Sequence, residues 1–206
     1  MCDGFAPRLQ PVTGGRRFSQ AIAEGDGISL IAEVDGPEAA RRAEADGAEG
    51  VLVYSGHEGR LREIQESVSV PILFFWDGET ADRLGGADAC IVDLAGWERD
   101  EPDVVQHAHL ELRDYELVLR VQDEEQLEGA LEVFDPELFV LAGKKDQSLE
   151  QVLDLLPDLP AGKLAIAELA TSTKADVAEL ERAGVDAVIV GAGRVADLIG
   201  EPPPEV

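Results

Sequence analysis

Eight short apolar runs recur along the chain, and each is followed by a segment with helical patterning. The runs cover residues 28–34, 50–54, 71–75, 89–93, 117–121, 138–142, 164–168 and 187–191. Most of them are apolar on both faces, as parallel strands covered by helices are. Strands that alternate with helices of about 10–15 residues indicate βα units and a parallel sheet. Eight units in 206 residues predict a compact (β/α)8 TIM barrel. A doubly wound open sheet is less favoured, because no G-x-G-x-x-G motif follows the first run.

Three helix-to-strand junctions share one short pattern. Gly47, Gly86 and Gly184 each precede a small apolar residue, an acid and the next strand. A glycine in this place is typical of a helix C-cap, and its recurrence supports a repeated βα unit. At the start of the last long helix, Thr173 and Asp176 predict a capping box.

The whole chain, residues 1–206, is interpreted as one barrel domain. Residues 1–17 form an N-terminal extension, and the proline-rich tail 200–206 is expected to fray. No apolar run is long enough to span a bilayer, and no signal peptide is recognisable, so a cytoplasmic location is expected. Cys2 and Cys90 lie far apart in the sequence, which predicts neither a disulfide scaffold nor a zinc site. No cofactor is expected, and the sequence leaves the oligomeric state open.

The charge balance is strongly acidic. Seventeen basic residues stand against 43 acidic ones, for a formal net charge of −26. A field of that sign repels nucleic acids and anionic membranes, so neither is expected as a partner. The acids are spread through every predicted helix, and only four lysines occur. This composition resembles that of proteins from salt-accumulating halophiles, where a Debye length of about 3 Å at molar salt makes such self-repulsion tolerable.

Two glutamates and an arginine are the candidate catalytic residues. Catalytic side chains of this fold lie at the carboxyl ends of the strands, where Glu33 and Glu168 each follow an alanine in an apolar run. A buried carboxylate needs a partner, and Arg120 on the fifth strand faces both across a barrel. The three residues form either a buried ion pair that closes the barrel or a centre for an anionic substrate.

The candidate phosphate-binding residues follow the eighth strand. Gly191, Ala192 and Gly193 precede Arg194, and glycines let backbone amides approach an anion. Barrels often bind phosphate in the loops after strands 7 and 8, so Thr171, Ser172 and Thr173 could add donors. The alternative is that both glycines merely turn the chain and that Thr173 caps a helix.

The remaining candidates are four residues at other strand ends. His57 is either a general base near neutral pH or a solvated loop histidine. Asp35, Asp77 and Asp93, with the two glutamates, could hold Mg²⁺ if they converge. His107 and His109 are two residues apart and cannot share a helix face, so no metal site is predicted.

Several segments carry a resemblance to a known family. They are FSQAIAEG at 18–25, ISLIAEV at 28–34, SVPIL at 69–73, VLRVQDEEQLEGAL at 118–131, LAIAEL at 164–169 and ADVAELERAGVDAVIVG at 175–191. Together they resemble indole-3-glycerol-phosphate synthase, a member of the phosphate-binding barrels, from about Phe18 to Leu198. The resemblance implies a barrel fold and, for the family, closure of an indole ring on a ribulose-phosphate chain with loss of CO2.

The chain departs from the family at most catalytic positions. The resemblance places the strand-1 glutamate of the family at Glu33. Two residues further on, where the family has a lysine, this chain has Asp35, and Phe75 stands at the position of the catalytic lysine of strand 3. The strand-5 glutamate becomes Arg120. The family's long mobile loop after strand 1 is missing, because Pro37 already begins a helix.

The last three strands retain part of the family pattern. Of the strand-6 motif only the basic residue Lys144 remains, while strand 7 retains Glu168. The strand-8 motif becomes Gly191, Ala192 and Gly193, which with Lys144 are the expected phosphate ligands.

Three functions remain open from the sequence. Phe75 has no proton to transfer, and Asp35 reverses the local field, which favours a diverged barrel that binds or acts on a small phosphorylated metabolite. If it is an enzyme, it is a lyase or isomerase. The second function is a non-catalytic barrel that serves as an assembly or regulatory partner, with Phe74, Phe75 and Trp76 filling the mouth. The third is the family reaction with relocated lysines, Lys144 or Lys145.

Overall fold

The chain forms a closed barrel of eight parallel strands, as the sequence predicts. The computed structural model describes residues 18–25, 27–78, 84–95, 108, 111–133, 136–143 and 148–199. Every strand pairs in parallel with its neighbours in chain order, and β8 pairs back onto β1. The strands are β1 (Ser29–Glu33), β2 (Gly50–Tyr54), β3 (Ile72–Phe75), β4 (Ala89–Asp93), β5 (Glu116–Val121), β6 (Leu138–Ala142), β7 (Leu164–Glu168) and β8 (Ala187–Gly191).

Helices lie outside the barrel and connect the strands. Those within the described residues are α1 (Phe18–Ala23), α2 (Pro37–Ala45), α3 (Leu61–Gln65), α4 (Glu124–Val133), α5 (Ser148–Leu155), α6 (Lys174–Ala183) and α7 (Val195–Leu198). Three 3-10 turns, Glu58–Arg60, Leu156–Asp158 and Ala192–Arg194, lead into or out of them. Since β1 ends at Glu33 and α2 begins at Pro37, the long loop of the family is absent, as expected.

The barrel is filled by one layer of side chains and wrapped by another. Alternate strand residues such as Ile31, Leu52, Val118 and Ile166 form the interior core. The residues between them, with the apolar faces of the helices, form a larger outer core. Because successive strand side chains point to opposite faces, each strand serves both cores.

Helix α1 closes the amino-terminal end of the barrel. Phe18 and Ile22 are buried and pack with the interior core rather than the outer one. The backbone N–H of Ser19 donates to a carboxylate oxygen of Glu116 at 3.0 Å, which supplies an acceptor and a negative charge at the start of the helix. The segment before β1 is therefore a plug that leaves only the opposite end open.

The repeated glycine–apolar–acid junctions have a common geometry. Gly47, Gly86 and Gly184 have φ values of 101°, 134° and 94°, a conformation that favours glycine. The acids that follow at the last two junctions bind the neighbouring strand. Asp88 accepts from the Ile72 N–H at 2.8 Å, and Asp186 accepts from the Ala165 N–H at 2.7 Å. Burial raises the pKa of both carboxyls, although these hydrogen bonds act in the opposite direction.

Helix α6 begins and ends as its sequence predicts. Thr173 Oγ1 accepts from the Asp176 N–H, the Asp176 carboxylate accepts from the Thr173 N–H, and Gly184 closes the helix in the left-handed conformation.

Several sequence predictions fall outside the described residues. These are the extension 1–17, the tail 200–206, Cys2, Lys144, Lys145, His107 and His109. Cys90 is buried, and that burial raises the pKa of its thiol to about 12. Within the described part of the chain, no helix is long and apolar enough to cross a membrane.

We expect Phe18→Ala to lower the free energy of unfolding by about 3–5 kcal/mol, because it removes a fully buried ring and leaves a cavity under the barrel. Gln20→Ala, on the exposed side of the same helix, is the matched control and should change stability by less than about 0.5 kcal/mol. Urea denaturation followed by circular dichroism measures both. Equal effects would show that α1 does not close the barrel.

Candidate functional site

The inward positions at the carboxyl ends of the strands form the floor of the open mouth. The two-residue period that sends Ile31, Ile91, Val118 and Ile166 into the interior sends the residues two places further on to the same face. These mouth residues are Glu33, Tyr54, Phe75, Asp93, Arg120, Ala142, Glu168 and Gly191. Strand register therefore brings together residues that lie far apart in the sequence, from Glu33 to Gly191.

Arg120 forms the centre of this layer. Its Nε donates to Glu168 Oε2 at 2.6 Å, its Nη2 to Glu168 Oε1 at 3.3 Å and its Nη1 to Asp93 Oδ1 at 3.1 Å. The arginine side chain is 12% exposed, against 30% for Asp93 and 26% for Glu168. Burial acts to lower the pKa of Arg120, but the two carboxylates outweigh it and the pKa is raised. The guanidinium therefore stays charged and ties β4, β5 and β7 together.

Tyr54 and Glu33 form a second polar pair beside it. The Tyr54 hydroxyl donates to Glu33 Oε1 at 2.7 Å. Burial raises the pKa of Tyr54, and the Glu33 hydrogen bond and charge raise it further. On its other side, the Tyr54 ring stacks on Phe75 with ring centroids 5.4 Å apart. The phenol is thus held protonated and oriented toward Glu33.

A cavity of about 360 Å³ opens between the ends of β7, β8 and β1. Glu33 and Glu168 line one part of it, and the loop after β7 together with Gly191 and Arg194 lines another. The full lining is Glu33, Glu168, Leu169, Ala170, Thr171, Ser172, Ile189, Val190, Gly191, Arg194 and Leu198. Carboxylates and a guanidinium therefore face a single pocket.

Ser172 is an unusual residue of this lining. It is 8% exposed, and its Oγ has no hydrogen-bond partner in the described structure. Its carbonyl oxygen accepts from Arg194 Nη2 at 3.0 Å, which joins the loops after β7 and β8. A buried hydroxyl without a partner is costly, and it marks a place where a ligand could supply one.

The glycines after β8 are not required by the backbone. Gly191 has φ −61°, and neither Gly191 nor Gly193 has the positive φ that favours glycine. A Cβ on Gly193 would meet no atom within 4 Å, and one on Gly191 only Arg194 Cγ at 3.9 Å. Because they lack a side chain, Gly191 and Gly193 leave space for a ligand beside the backbone.

The structure brings some of the predicted residues together and separates others. Glu33, Glu168 and Arg120 share the mouth, and Asp93 joins them as the second partner of Arg120. Asp35 and Asp77 are exposed, and His57 is half-buried in the loop after β2. Lys144 lies outside the described residues. Among the residues that are described, no group of three or more His, Cys, Asp or Glu is placed to hold a metal ion.

Sequence reasoning placed two aromatic residues wrongly. Phe74 and Trp76 are buried in the outer core under the helices, and Phe75 alone of the three packs with the interior core. The expectation that all three fill the mouth is therefore wrong, because adjacent strand residues face opposite sides. The same two-residue period, applied to β2, would have singled out Tyr54 as the partner of Glu33.

Comparison with known proteins agrees with the resemblance seen in the sequence. The chain is 28% identical to the indole-3-glycerol phosphate synthase of Geobacillus sp. (strain WCH70), over 74% of this chain and 64% of that protein. It is 26% identical to the enzyme of Alkaliphilus metalliredigens (strain QYMF), over 94% and 85%. The synthase of Priestia megaterium (strain ATCC 12872 / QMB1551) is 31% identical, over 67% and 57%. The resemblance to this family is thus confirmed.

Solved structures confirm the fold. A crystal structure of phosphonopyruvate hydrolase matches with a TM-score of 0.65 at 18% identity, over 88% of this chain and 83% of that one. Its complex with oxalate and Mg²⁺ matches with a TM-score of 0.62 at 14% identity. No protein-family model matches the chain.

We expect the two tyrosines to ionise at different pH values above 10. Tyr54 and Tyr115 are the only tyrosines, so absorbance at 295 nm in a Tyr115→Phe background follows Tyr54 alone. Its phenol should titrate well above 10 in the folded protein and near 10 in urea. Because the folded-state pKa is raised, the stability that Tyr54 contributes is present below pH 10 and lost as the pH rises through the folded value.

Glu33→Gln should lower the Tyr54 pKa, since it removes the negative charge beside the phenol. Glu128→Gln, on the exposed face of α4, is the control and should leave it unchanged. An unaltered titration in Glu33→Gln would refute the Tyr54–Glu33 pair.

A double-mutant cycle on Arg120→Met and Glu168→Gln should show a coupling free energy of about 1–3 kcal/mol, because the pair is charged, doubly hydrogen-bonded and mostly buried. Arg194 and Asp197 lie 3.9 Å apart with side chains 52% and 74% exposed, and their cycle should give less than about 0.5 kcal/mol. Urea denaturation of each set measures both values. Similar couplings would mean that the mouth ion pair is solvated like a surface pair.

Proposed function

We propose that this chain binds a small phosphorylated molecule in the cavity at the ends of β7, β8 and β1, and that any reaction there differs from the synthase reaction of its relatives. The observation that carries the proposal is the pairing of Ser172 and Arg194. A buried hydroxyl without a partner and a guanidinium line the same pocket, next to glycines that leave space beside the chain.

The wall made by Ser172 and Arg194 suits a phosphate group. Arg194 spends one donor on the Ser172 carbonyl, which leaves other N–H groups of its fork available, and its contact with Asp197 is long at 3.9 Å. A guanidinium presents five N–H donors with the geometry that phosphate oxygens accept. The Ser172 hydroxyl would then find the acceptor that the described structure lacks.

The wall made by Glu33 and Glu168 suits the chemistry of a bound substrate. Tyr54 donates to Glu33, and Arg120 holds Glu168 in a fixed orientation by two hydrogen bonds. A positioned carboxylate can accept a proton from a substrate carbon or hydroxyl. A lyase or isomerase acting on a phosphorylated metabolite would use these groups.

The reaction of the relatives is disfavoured by the residue at the end of β3. Phe75 occupies the position that the resemblance assigns to the catalytic lysine, and its ring stacks on Tyr54. The lysines in the described part of the chain, Lys163 and Lys174, precede β7 and open α6, and neither lines the cavity. With Lys144 and Lys145 outside the described residues, no lysine in the described mouth can act as general acid.

A non-catalytic barrel is the second candidate. It is favoured by the way the mouth satisfies itself, because Arg120 is already neutralised by Asp93 and Glu168, and Phe75 offers no reactive group. Binding of phosphate compounds separates the two candidates, since a scaffold or regulatory barrel has no need of the Ser172–Arg194 wall.

We expect inorganic phosphate and small phosphomonoesters to raise the melting temperature, and Gly193→Asp to abolish the shift, because it adds a negative charge next to Arg194 in the turn after β8. Gly59→Asp is the matched control. Gly59 also lies in a 3-10 turn after a strand, has no positive φ and has no atom within 4 Å of a Cβ, so the same charge is added with the same freedom. Differential scanning fluorimetry at low and at molar salt measures both variants.

Ser172→Ala should weaken phosphate binding by about 10-fold, the loss expected for a hydrogen bond to a charged group. No shift in the wild-type protein at either salt concentration, or equal shifts in Gly193→Asp and Gly59→Asp, would overturn the proposal and leave the non-catalytic role.

A further inference from the structure

We infer that the ligand carries a protonated amine at the end opposite its phosphate, and that compounds with a carboxylate at that end are rejected. This inference rests on the proposed function and adds a substrate class to it. It follows from the charges at the strand ends beside the cavity, which belong to other residues than the Ser172–Arg194 wall.

Among the described residues, the strand-end side of the cavity is negative. The charged members of the mouth layer are three carboxylates, Glu33, Asp93 and Glu168, and one guanidinium, Arg120. When the acids are ionised, the layer carries two formal negative charges in excess. The two carboxylates that line the cavity itself are Glu33 and Glu168, whereas Arg120 and Asp93 do not line it. A ligand therefore meets acids before it meets the arginine.

Arg120 is a poor anion receptor, because two carboxylates already balance its charge and it does not line the cavity. Its Nε, Nη1 and Nη2 atoms all donate to Glu168 or Asp93. A ligand carboxylate that reached the two N–H groups left over would stand beside Glu168 and Asp93. Neighbouring carboxylates repel each other strongly when they are partly desolvated. A ligand with a carboxylate at this end is therefore excluded.

Glu33 retains room for a hydrogen-bond donor. One of its oxygens accepts from Tyr54, and an ionised carboxylate offers about four acceptor directions. Glu168 lies on the same wall of the cavity. An ammonium group has three donors and one positive charge, so it matches the two acids in both hydrogen bonding and charge.

The polarity of the whole cavity supports the same ligand. Arg194 and Ser172 mark a wall for an anionic group, and the two glutamates mark a wall for a cationic one. A zwitterion also has little net charge to be repelled by a protein with a formal charge of −26, in contrast to a molecule that bears both a phosphate and a carboxylate.

The test compares three phosphomonoesters of matched length: 2-aminoethyl phosphate, 2-hydroxyethyl phosphate and carboxymethyl phosphate. Isothermal titration calorimetry with the full chain at pH 7 should give affinities in that order, with the amine at least about 10-fold tighter than the carboxylate. The 3-aminopropyl ester repeats the comparison with one more carbon. Because the wild-type protein alone decides the order, the test does not depend on a variant that might unfold.

Glu33→Gln should reduce the preference for the amine over the carboxylate several-fold, because it removes one of the two carboxylates that line the cavity. Glu128→Gln, which removes the same charge from the exposed face of α4, should leave the preference intact. An unchanged preference in Glu33→Gln would show that the acids of the mouth do not recognise this end of the ligand.

The outcomes separate this inference from the proposed function. Binding of inorganic phosphate that Gly193→Asp abolishes, together with equal affinities for the three esters or a preference for carboxymethyl phosphate, would overturn the amine specificity alone. Failure of inorganic phosphate and of all the esters to bind would overturn both.

Discussion

Closure of the barrel is the constraint on which the rest of the structure depends. When β8 pairs with β1, Glu33 comes opposite Gly191, and on the far side Asp93 comes opposite Arg120. Each strand then has one face turned to the interior and one to the helices, so a two-residue period decides every side chain's surroundings. The plug by Phe18 and Ile22 closes one end. Polar side chains can therefore meet only at the other end, because there they are not buried in a dry core.

The mouth differs from the pattern of the resemblance at the ends of two strands. Arg120 stands on β5 where the relatives' pattern has a glutamate, and it gathers Asp93 and Glu168 around itself. Phe75 stands where the pattern has a lysine, and it supports the ring of Tyr54, which in turn holds Glu33. The described residues at the strand ends of the mouth therefore include two glutamates and no lysine.

Much of the fold could be predicted from the sequence because the signals are local. The runs at 50–54, 89–93, 138–142, 164–168 and 187–191 coincide with β2, β4, β6, β7 and β8, and the Thr173–Asp176 capping box forms as predicted. The sequence leaves two roles open for Arg120 and Glu168, a structural ion pair and a centre for an anionic substrate. Their hydrogen bonds do not decide between the two roles. Side-chain direction was the weak point. The sequence reading predicts Phe74 and Trp76 at the mouth together with Phe75, although adjacent strand residues must face opposite sides.

The sequence by itself determined the eight βα units, the glycine junctions and the acidic surface, because each depends on periodicity, turn chemistry or composition within a few residues. Only the tertiary structure decided which charges meet. It turned Arg120 toward Glu168 and Asp93, set Tyr54 against Glu33, and placed Ser172 and Arg194 on one wall of a cavity with the two glutamates. The physical reason is that strand register and barrel closure fix distances between residues far apart in the chain, and no local pattern encodes them.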